Sequence, residues 1–268
     1  MSLFIENIKD HFTWRHQIFK LAKSDIIRNY TGSALGWAWA LVKPTVIILV
    51  FWFVFTVGLR AGDVAENVPF IIWFVPGIVP WFYMEEMITD GSSVFLRYSY
   101  LITKMKFPVP TIPTFVAVAK LVVHLFLLVI TTVIFVITGW YPDIYYLQIP
   151  LYMALMIIFF TNWALFSATL STLSRDWMNL VMAVTTAVFW MSGIIFDINT
   201  IGNNTVRHIL MANPINFIAE GYRDSFVYKR WFWEKPTQCL VFLGALLIMT
   251  LVANATYKKL YKDIPDVL

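Results

Sequence analysis

The chain has 268 residues, of which 59% are hydrophobic, 18% are aromatic and 13% are charged. Together with a mean hydropathy of +0.70, this composition excludes an ordinary soluble domain and predicts an all-α membrane protein, because the apolar runs are long and unbroken. The net charge of +4 is spread over the loops that flank these runs, which favours lipid headgroups rather than nucleic acid as its counterions.

Residues 1–30 are predicted to form a cytoplasmic amphipathic helix that lies on the membrane surface. Basic residues follow one side of this helix, which suits an anionic cytoplasmic leaflet. An ordinary amphipathic helix packed on other protein is the alternative. The predicted apolar face consists of Phe4, Ile8, Phe12, Phe19, Ala22 and Ile26.

Residues 31–268 are predicted to form one transmembrane domain of six helices. Pro76 and Pro80 predict a kink in the second span, and Glu85 and Glu86 are expected to return the chain to water after it. Lys and Arg are concentrated before the first span, in the loop after the second and behind the last, which places both termini in the cytoplasm. The spans are predicted at about 36–59, 69–84, 114–138, 147–173, 177–196 and 236–257.

The polar loop 90–108 between the second and third spans has the pattern of a short amphipathic helix. Apolar residues recur in it at steps of four, three and four, so they share one helix face. Such a helix either lies on the membrane surface or docks into a groove of a soluble partner. Because the membrane domain has no visible energy source, we predict docking. The predicted docking face is Val94, Tyr98, Leu101 and Met105.

The segment 197–235 contains two apolar pieces, at 209–211 and 215–227, that are too short to cross a bilayer. A helix of about 14 residues reaches about 21 Å, whereas the hydrocarbon core is roughly 30 Å thick. We therefore predict a pair of re-entrant or surface half-helices on the outer side, with Glu220, Arg223 and Asp224 interrupting the second piece.

Catalytic motifs are missing from the sequence. It contains no GxxxxGK[ST], GxSxG, HExxH or CxxC, so neither nucleotide hydrolysis nor metal chemistry is predicted for this chain. Cys239 is the only cysteine, which excludes an intramolecular disulfide. The alternative is a membrane-embedded transferase, for which Glu85, Glu86 and Asp90 would be the candidate acids.

Two groups of residues in the spans are candidates for substrate contact. Lys120 and His124 lie one turn apart in the third span, where they either meet an anionic substrate or are satisfied by neighbouring hydroxyls and carbonyls. Aromatic rings are dense in the first and fifth spans and would suit sugars stacking along a path, although lipid-facing or packing roles are the alternative. These rings are Trp37, Trp39, Phe51, Phe55, Phe189, Trp190 and Phe196.

Several short motifs follow one another along the chain in a specific order and spacing. They include Leu35-Gly36, Val68-Pro69-Phe70-Ile71, Pro76-Gly77, Phe107-Pro108, Arg175-Asp176, Asn213-Pro214 and Glu220-Gly221-Tyr222-Arg223. Together they resemble the permease subunits of ABC exporters for cell-surface polysaccharides. Within that group the similarity is greatest to the wall teichoic acid exporters of Gram-positive bacteria. The sequence departs from the wider group at Asn29, where a basic residue is common, and at Tyr98, where a small polar one is usual.

The resemblance implies the type 2 ABC permease fold in a bacterial plasma membrane. It implies a homodimer in which each subunit binds one separate ATPase subunit through a coupling helix in the loop 90–108. ATP and Mg would be bound by that partner, and this chain would hold no cofactor. The substrate would be an undecaprenyl-diphosphate-linked polymer moved from the cytoplasmic to the outer leaflet. An ABC permease for a different lipid or drug is a further alternative.

Overall fold

The structure is a computed structural model that describes residues 2–32, 34–60, 62, 64, 68–105 and 107–268, except for the side chains of residues 2–6, 8 and 30. Within these residues the regular structure is helical and contains no strand. Some of the predictions lie outside this part of the chain. They concern the Phe4 and Ile8 side chains of the predicted apolar face and most of the loop after the first span.

Thirteen α-helices, α1 to α13, follow one another in the described residues. A 3-10 turn at Gly36–Ala38 precedes α3, and a π-helical turn at Phe53–Gly58 follows it. The helices are α1 Ser2–Thr13, α2 Arg15–Tyr30, α3 Trp39–Trp52, α4 Phe70–Thr89, α5 Val94–Arg97, α6 Ser99–Thr103, α7 Ile112–Ile137, α8 Ile149–Leu173, α9 Arg175–Trp190, α10 Asn204–Met211, α11 Pro214–Arg223, α12 Pro236–Leu260 and α13 Ile264–Val267.

The N-terminal segment forms two helices that meet at Trp14, where one continuous helix was predicted. Ile18, Ala22 and Asp25 of α2 are buried, and α2 packs on α7. Of the predicted apolar face, Phe12 and Phe19 are exposed, whereas Ala22 is buried and Ile26 packs against the core, so only part of that face packs on the protein. The reason is tertiary, because the buried face carries a carboxylate, Asp25, whose partner lies elsewhere in the chain.

Five segments in the described part of the chain are long and apolar enough to cross a membrane, and they contain α3, α4, α7, α8 and α12. The fifth predicted span is shorter than expected, because α9 has 16 residues and reaches about 24 Å at about 1.5 Å per residue. The second is longer, because α4 continues past Glu85 and Glu86 to Thr89 and leads through a 3-10 turn into α5. The helix boundaries therefore differ from the predicted spans, while the number of spans stays a prediction.

Helix α4 lies at the centre of the fold and α3 at its edge. Most residues of α4 are buried, and it packs against α3, α7, α8, α9 and α11. In α3 Pro44 is the one buried residue. The exposed apolar surface of α3 must therefore face lipid or another chain.

Two short helices, α10 and α11, occupy the region where half-helices were predicted. No residue of α10 is buried, whereas most of α11 is, including Arg223, which has no exposed surface. The motif 220–223 thus lies inside the protein, although its charges predicted a break in an apolar piece.

The Arg223 guanidinium joins three parts of the fold. It donates hydrogen bonds to the carbonyls of Gly193 (2.8 Å) and Ile194 (2.7 Å), which belong to the non-helical turn after α9. It also donates to the Trp73 carbonyl of α4 at 3.2 Å and lies 3.5 Å from the centre of the Trp73 ring. Glu220 supplies the countercharge at 2.6 Å. Buried charges are tolerated when they are paired and hydrogen-bonded in this way.

Gly77 makes room for this guanidinium, which gives a test of the arrangement. A Cβ atom at Gly77 would lie 2.4 Å from an Arg223 nitrogen. We expect Gly77→Ala to lower the thermal unfolding temperature of the purified protein, since overpacking costs about 1–3 kcal/mol.

Gly244→Ala in α12 is the matched control, because nothing lies within 4 Å of a Cβ there. Alanine is the better helix former by about 1 kcal/mol, so this variant should not be destabilised. Equal unfolding temperatures of the two variants would contradict the proposal that Gly77 makes room for the Arg223 guanidinium.

Candidate functional site

The predicted docking face turns out to be mostly internal. Val94, Tyr98 and Leu101 are buried, while Met105 is 55% exposed. The buried three face the protein because α5 packs on α7 and α8, and the Tyr98 ring meets Phe115 edge-on at 4.8 Å. The prediction that all four residues would be exposed is therefore wrong for three of them.

A different apolar surface is exposed on the same segment. Leu96 and Tyr100 are 40% and 41% exposed, and Met105 continues this surface. Helical periodicity selected one apolar face, but the segment is broken at Tyr98 into α5 and α6 and has apolar residues on two faces. Val94, Tyr98 and Leu101, which have the regular spacing, pack inside this chain.

Asp25 of α2 ties this segment to the N-terminal helices. The Tyr98 hydroxyl donates a hydrogen bond to one Asp25 oxygen, and the Asn29 amide donates to the other at 3.2 Å. Burial, together with the neighbouring Asp25 carboxylate, raises the pKa of the Tyr98 hydroxyl above its usual range. Asn29 and Tyr98 are the two positions where the sequence departs from the wider group, and they share this one carboxylate as partner.

The Asp25 contact predicts that Tyr98→Phe is destabilising. Phenylalanine keeps the ring contact with Phe115 but removes the donor, which leaves a buried carboxylate oxygen unsatisfied at a cost of about 1–3 kcal/mol. Tyr100→Phe is the matched control, because that tyrosine is exposed and its hydroxyl makes no hydrogen bond in the described residues. Thermal unfolding should separate the two variants, and identical midpoints would argue against the role of Asp25.

Lys120 links α7 to the loop 90–108, which contains α5 and α6 and is called the docking segment below. Its ammonium lies 2.7 Å from Asp90 and 3.0 Å from Glu86, and Arg97 lies 3.2 Å from Asp90. The charge of Lys120 is therefore compensated by carboxylates of the same chain, rather than by the hydroxyls or carbonyls considered above. Glu86 and Asp90 both form ion pairs with Lys120, so two of the three acids proposed for a transferase serve as ion-pair partners.

His124 contacts α11. One of its ring nitrogens lies 2.8 Å from the Tyr222 hydroxyl, and the residue is buried. This is the neighbouring hydroxyl that the packing alternative expected. Lys120 and His124 have different hydrogen-bond partners, but both line one cavity of about 100 Å³ together with Glu85 and Glu86.

The structure brings together the rings predicted in the first and fifth spans. Phe51 lies 5.7 Å from Phe189 and 6.5 Å from Trp190, measured between ring centres. Phe55 extends this cluster and stacks at 4.7 Å on a ring of α4. Trp37 lies in the 3-10 turn before α3, Trp39 is the first residue of α3, and Phe196 lies in the turn after α9.

Helix α4 contributes rings that the sequence analysis did not select. Phe70 and Phe74 pack on Phe55 and Phe51, and Trp81 lies 5.2 Å from Phe189. The spacing of these three on one helix face was the available signal. A cavity of about 190 Å³ adjoins the cluster, with one carboxylate and two hydroxyls in its wall. It is lined by Ile47, Phe51, Ile78, Trp81, Phe82, Glu85, Thr185, Thr186 and Phe189.

Arg223 and Asp224 are charged residues whose burial was not predicted. Asp224 is 1% exposed, and Lys235 at the start of α12 lies 2.5 Å from it. Burial raises the pKa of Asp224 to about 6, against the opposing effect of Lys235. The spacing of Glu220 and Arg223, three residues apart within an apolar piece, was the signal for an internal ion pair.

Comparisons with known proteins agree with this architecture. A model of the ABC-2 type transporter family matches residues 16–227, which include the elements from α2 through α11. The O-antigen export system permease protein RfbA of Myxococcus xanthus is 24% identical over 245 residues, covering 91% of this chain and 93% of the relative. A protein of the same description from Klebsiella pneumoniae is 22% identical over 250 residues, covering 92% and 93%.

Proposed function

Because this chain belongs to the ABC-2 type transporter family, we propose that it is the membrane subunit of an ATP-driven exporter of a cell-surface polysaccharide. The observation that carries the proposal is the match to polysaccharide export permeases over nine-tenths of the chain. Five apolar segments of spanning length support a multi-pass membrane protein. The motifs quoted above add the finer proposal that the polymer is a teichoic acid or related polymer on an undecaprenyl diphosphate carrier.

The proposed complex contains two copies of this chain and two ATPase subunits, with ATP hydrolysed on the latter. Both termini and the docking segment lie in the cytoplasm, while α10 and α11 lie at the outer side. The exposed apolar surface of α3 suits either lipid or the second copy. A transferase is less well supported, because Glu86 and Asp90 are held by Lys120.

We propose that the ATPase subunit docks on Leu96, Tyr100 and Met105. These three are the exposed apolar side chains of the segment. The hydrogen bond of Tyr98 to Asp25 and the ion pair of Asp90 with Lys120 would hold that surface rigidly on α2 and α7. A rigid link is what a docking site needs if movement of the partner is to reach the membrane domain.

The docking surface predicts that Tyr100→Asp abolishes co-purification of a P-loop ATPase from the native host, because a charge replaces apolar contact area. Tyr141→Asp is the matched control, since this tyrosine is also exposed but lies beyond the opposite end of α7. The control should retain the ATPase. If the ATPase co-purifies normally with Tyr100→Asp, the proposed surface is incorrect.

We further propose that the ring cluster of α3, α4 and α9 forms part of the wall of the polymer path. A polymer with many polar groups cannot cross the hydrocarbon core unaided, since each unsatisfied polar group costs several kcal/mol there. Flat rings offer apolar faces that stack on sugar rings while the sugar hydroxyls stay hydrated.

Trp190 and Phe55 provide the test of this path, because both retain exposed surface beside the cluster. We expect Trp190→Ala and Phe55→Ala to slow export in reconstituted vesicles with little loss of thermal stability. Phe70→Ala, at a buried ring, should instead cost about 3–5 kcal/mol of stability. Transport that falls only in proportion to the folded fraction of each variant would show that these rings are packing.

A further inference from the structure

A polar cavity of about 280 Å³ lies beside α11, between the turn after α9 and the start of α12. It is separate from the ring cluster and from the docking segment, and nothing above uses it. Its wall is mostly polar and combines amides, carboxylates, a phenol and basic groups. The lining residues are Val64, Asp197, Ile198, Asn199, Met211, Asn216, Glu220, Tyr228, Arg230, Lys235 and Gln238.

Asn216 is the residue in this wall that calls for a partner. It is only 5% exposed, and its side chain makes no hydrogen bond within the described part of the chain. Asn213, the N-cap of the same helix, is satisfied by Ser192 at 3.0 Å and by the Ile215 amide. The Asn216 amide atoms are not among the side-chain atoms that are both fully enclosed and unsatisfied, so the amide reaches the cavity. There it can donate hydrogen bonds to an occupant and accept them from it.

The backbone leaves room for this amide. Gly193 has a φ of 65°, and a Cβ atom there would lie 2.8 Å from the Asn216 side-chain oxygen. Arg223 donates a hydrogen bond to the Gly193 carbonyl. The turn that leaves room for the Asn216 amide is thus held by the guanidinium of α11.

Other polar groups in the wall are fixed by bonds that leave part of their capacity unused. Glu220 accepts from Arg223 through one oxygen, at 2.6 Å, and its second oxygen accepts no bond from a described residue. The Tyr228 hydroxyl accepts from the Trp73 indole at 2.8 Å, which leaves its own proton free to donate. Acceptors and donors are therefore both presented to the cavity in fixed positions.

The charges in the wall favour a neutral ligand over an anion. Asp197 and Glu220 oppose Arg230 and Lys235, and Lys235 is already paired with Asp224. Phosphate sites instead gather cationic groups that face no competing carboxylate. Amides, a carboxylate oxygen and a phenol match the alternating donors and acceptors of sugar or polyol hydroxyls. The volume is close to the lower limit of about 300 Å³ for ligand pockets, which suits one unit rather than a chain.

We propose that this cavity binds one sugar or polyol unit of the exported polymer through its hydroxyl groups. The inference rests on the proposed function, which places α11 at the outer side, where the polymer leaves the protein. Asn216 and Gln238 supply amide contacts, and the free oxygen of Glu220 accepts from a hydroxyl. The cavity would hold an emerging unit and so oppose its return.

The test is saturation-transfer NMR on the complex of this chain with its ATPase in lipid nanodiscs, with glucose, N-acetylglucosamine and ribitol as separate probes. Methyl phosphate, which carries carbon-bound protons, is the phosphate probe. We expect transfer to at least one sugar or polyol and none to the phosphate probe. Gln238→Ala, at a half-buried position, should weaken binding about fivefold, the effect of one hydrogen bond. Asn216→Asp should weaken it as well, because the amide donor is lost.

Gln17→Ala is the matched control, because this glutamine is exposed on α2, away from the cavity. The inference is overturned if no sugar or polyol binds, if phosphate alone binds, or if Gln238→Ala binds as the wild type does. Export of polymer by a complex that shows no such binding would refute the cavity site and leave the proposed function standing. Sugar binding by a complex that exports nothing would support the cavity site and refute the proposed function.

Discussion

The fold depends on one buried charge, the guanidinium of Arg223. It has no contact with solvent, and its hydrogen bonds run to α4, to the turn after α9 and to Glu220 on its own helix. Removing one partner from a buried pair costs about 3–5 kcal/mol, because the remaining charge is left uncompensated. The non-helical carbonyls after α9 need these donors equally, since buried carbonyls without a hydrogen-bond partner cost free energy.

Helix α4, which receives Arg223 near its beginning, carries a second ionic centre towards its other end. Trp73 and Gly77 of α4 receive Arg223, while Glu86 binds Lys120 of α7 and Asp90 follows directly after the helix. Helix α4 is buried along most of its length, so its two ends cannot shift independently without breaking packed contacts. This gives the docking segment and the half-helix α11 a common rigid support.

The two polar regions next to α4 differ in ways that match their proposed roles. The docking end has its charges paired internally and presents apolar side chains, which suits a protein partner. The α11 end presents amides, carboxylates and a phenol to a cavity, with charges that balance. Between them the ring cluster offers flat apolar faces with few polar groups. A polymer of hydroxylated units can meet the ring cluster and the cavity without a requirement for net charge.

Length and hydropathy were sufficient to determine the class of this protein, because an apolar run of spanning length has few stable alternatives to a membrane helix. They also placed the two short helices after α9, since neither apolar piece reaches across a bilayer. Ring density also singled out the aromatic residues of the first and fifth spans, although not the contacts of Phe51 with Phe189 and Trp190. The predicted features depend on local composition or on element length.

Only the tertiary structure decided which face of each amphipathic segment is buried. Periodicity marked Val94, Tyr98 and Leu101 as one apolar face, but it cannot distinguish a face covered by the same chain from a face kept for a partner. The N-terminal helix shows the same limit, because Asp25 is drawn inwards by Tyr98, a residue distant in sequence. The end of α9 and the burial of Arg223 likewise depend on partners from separate helices, and no local pattern encodes such contacts.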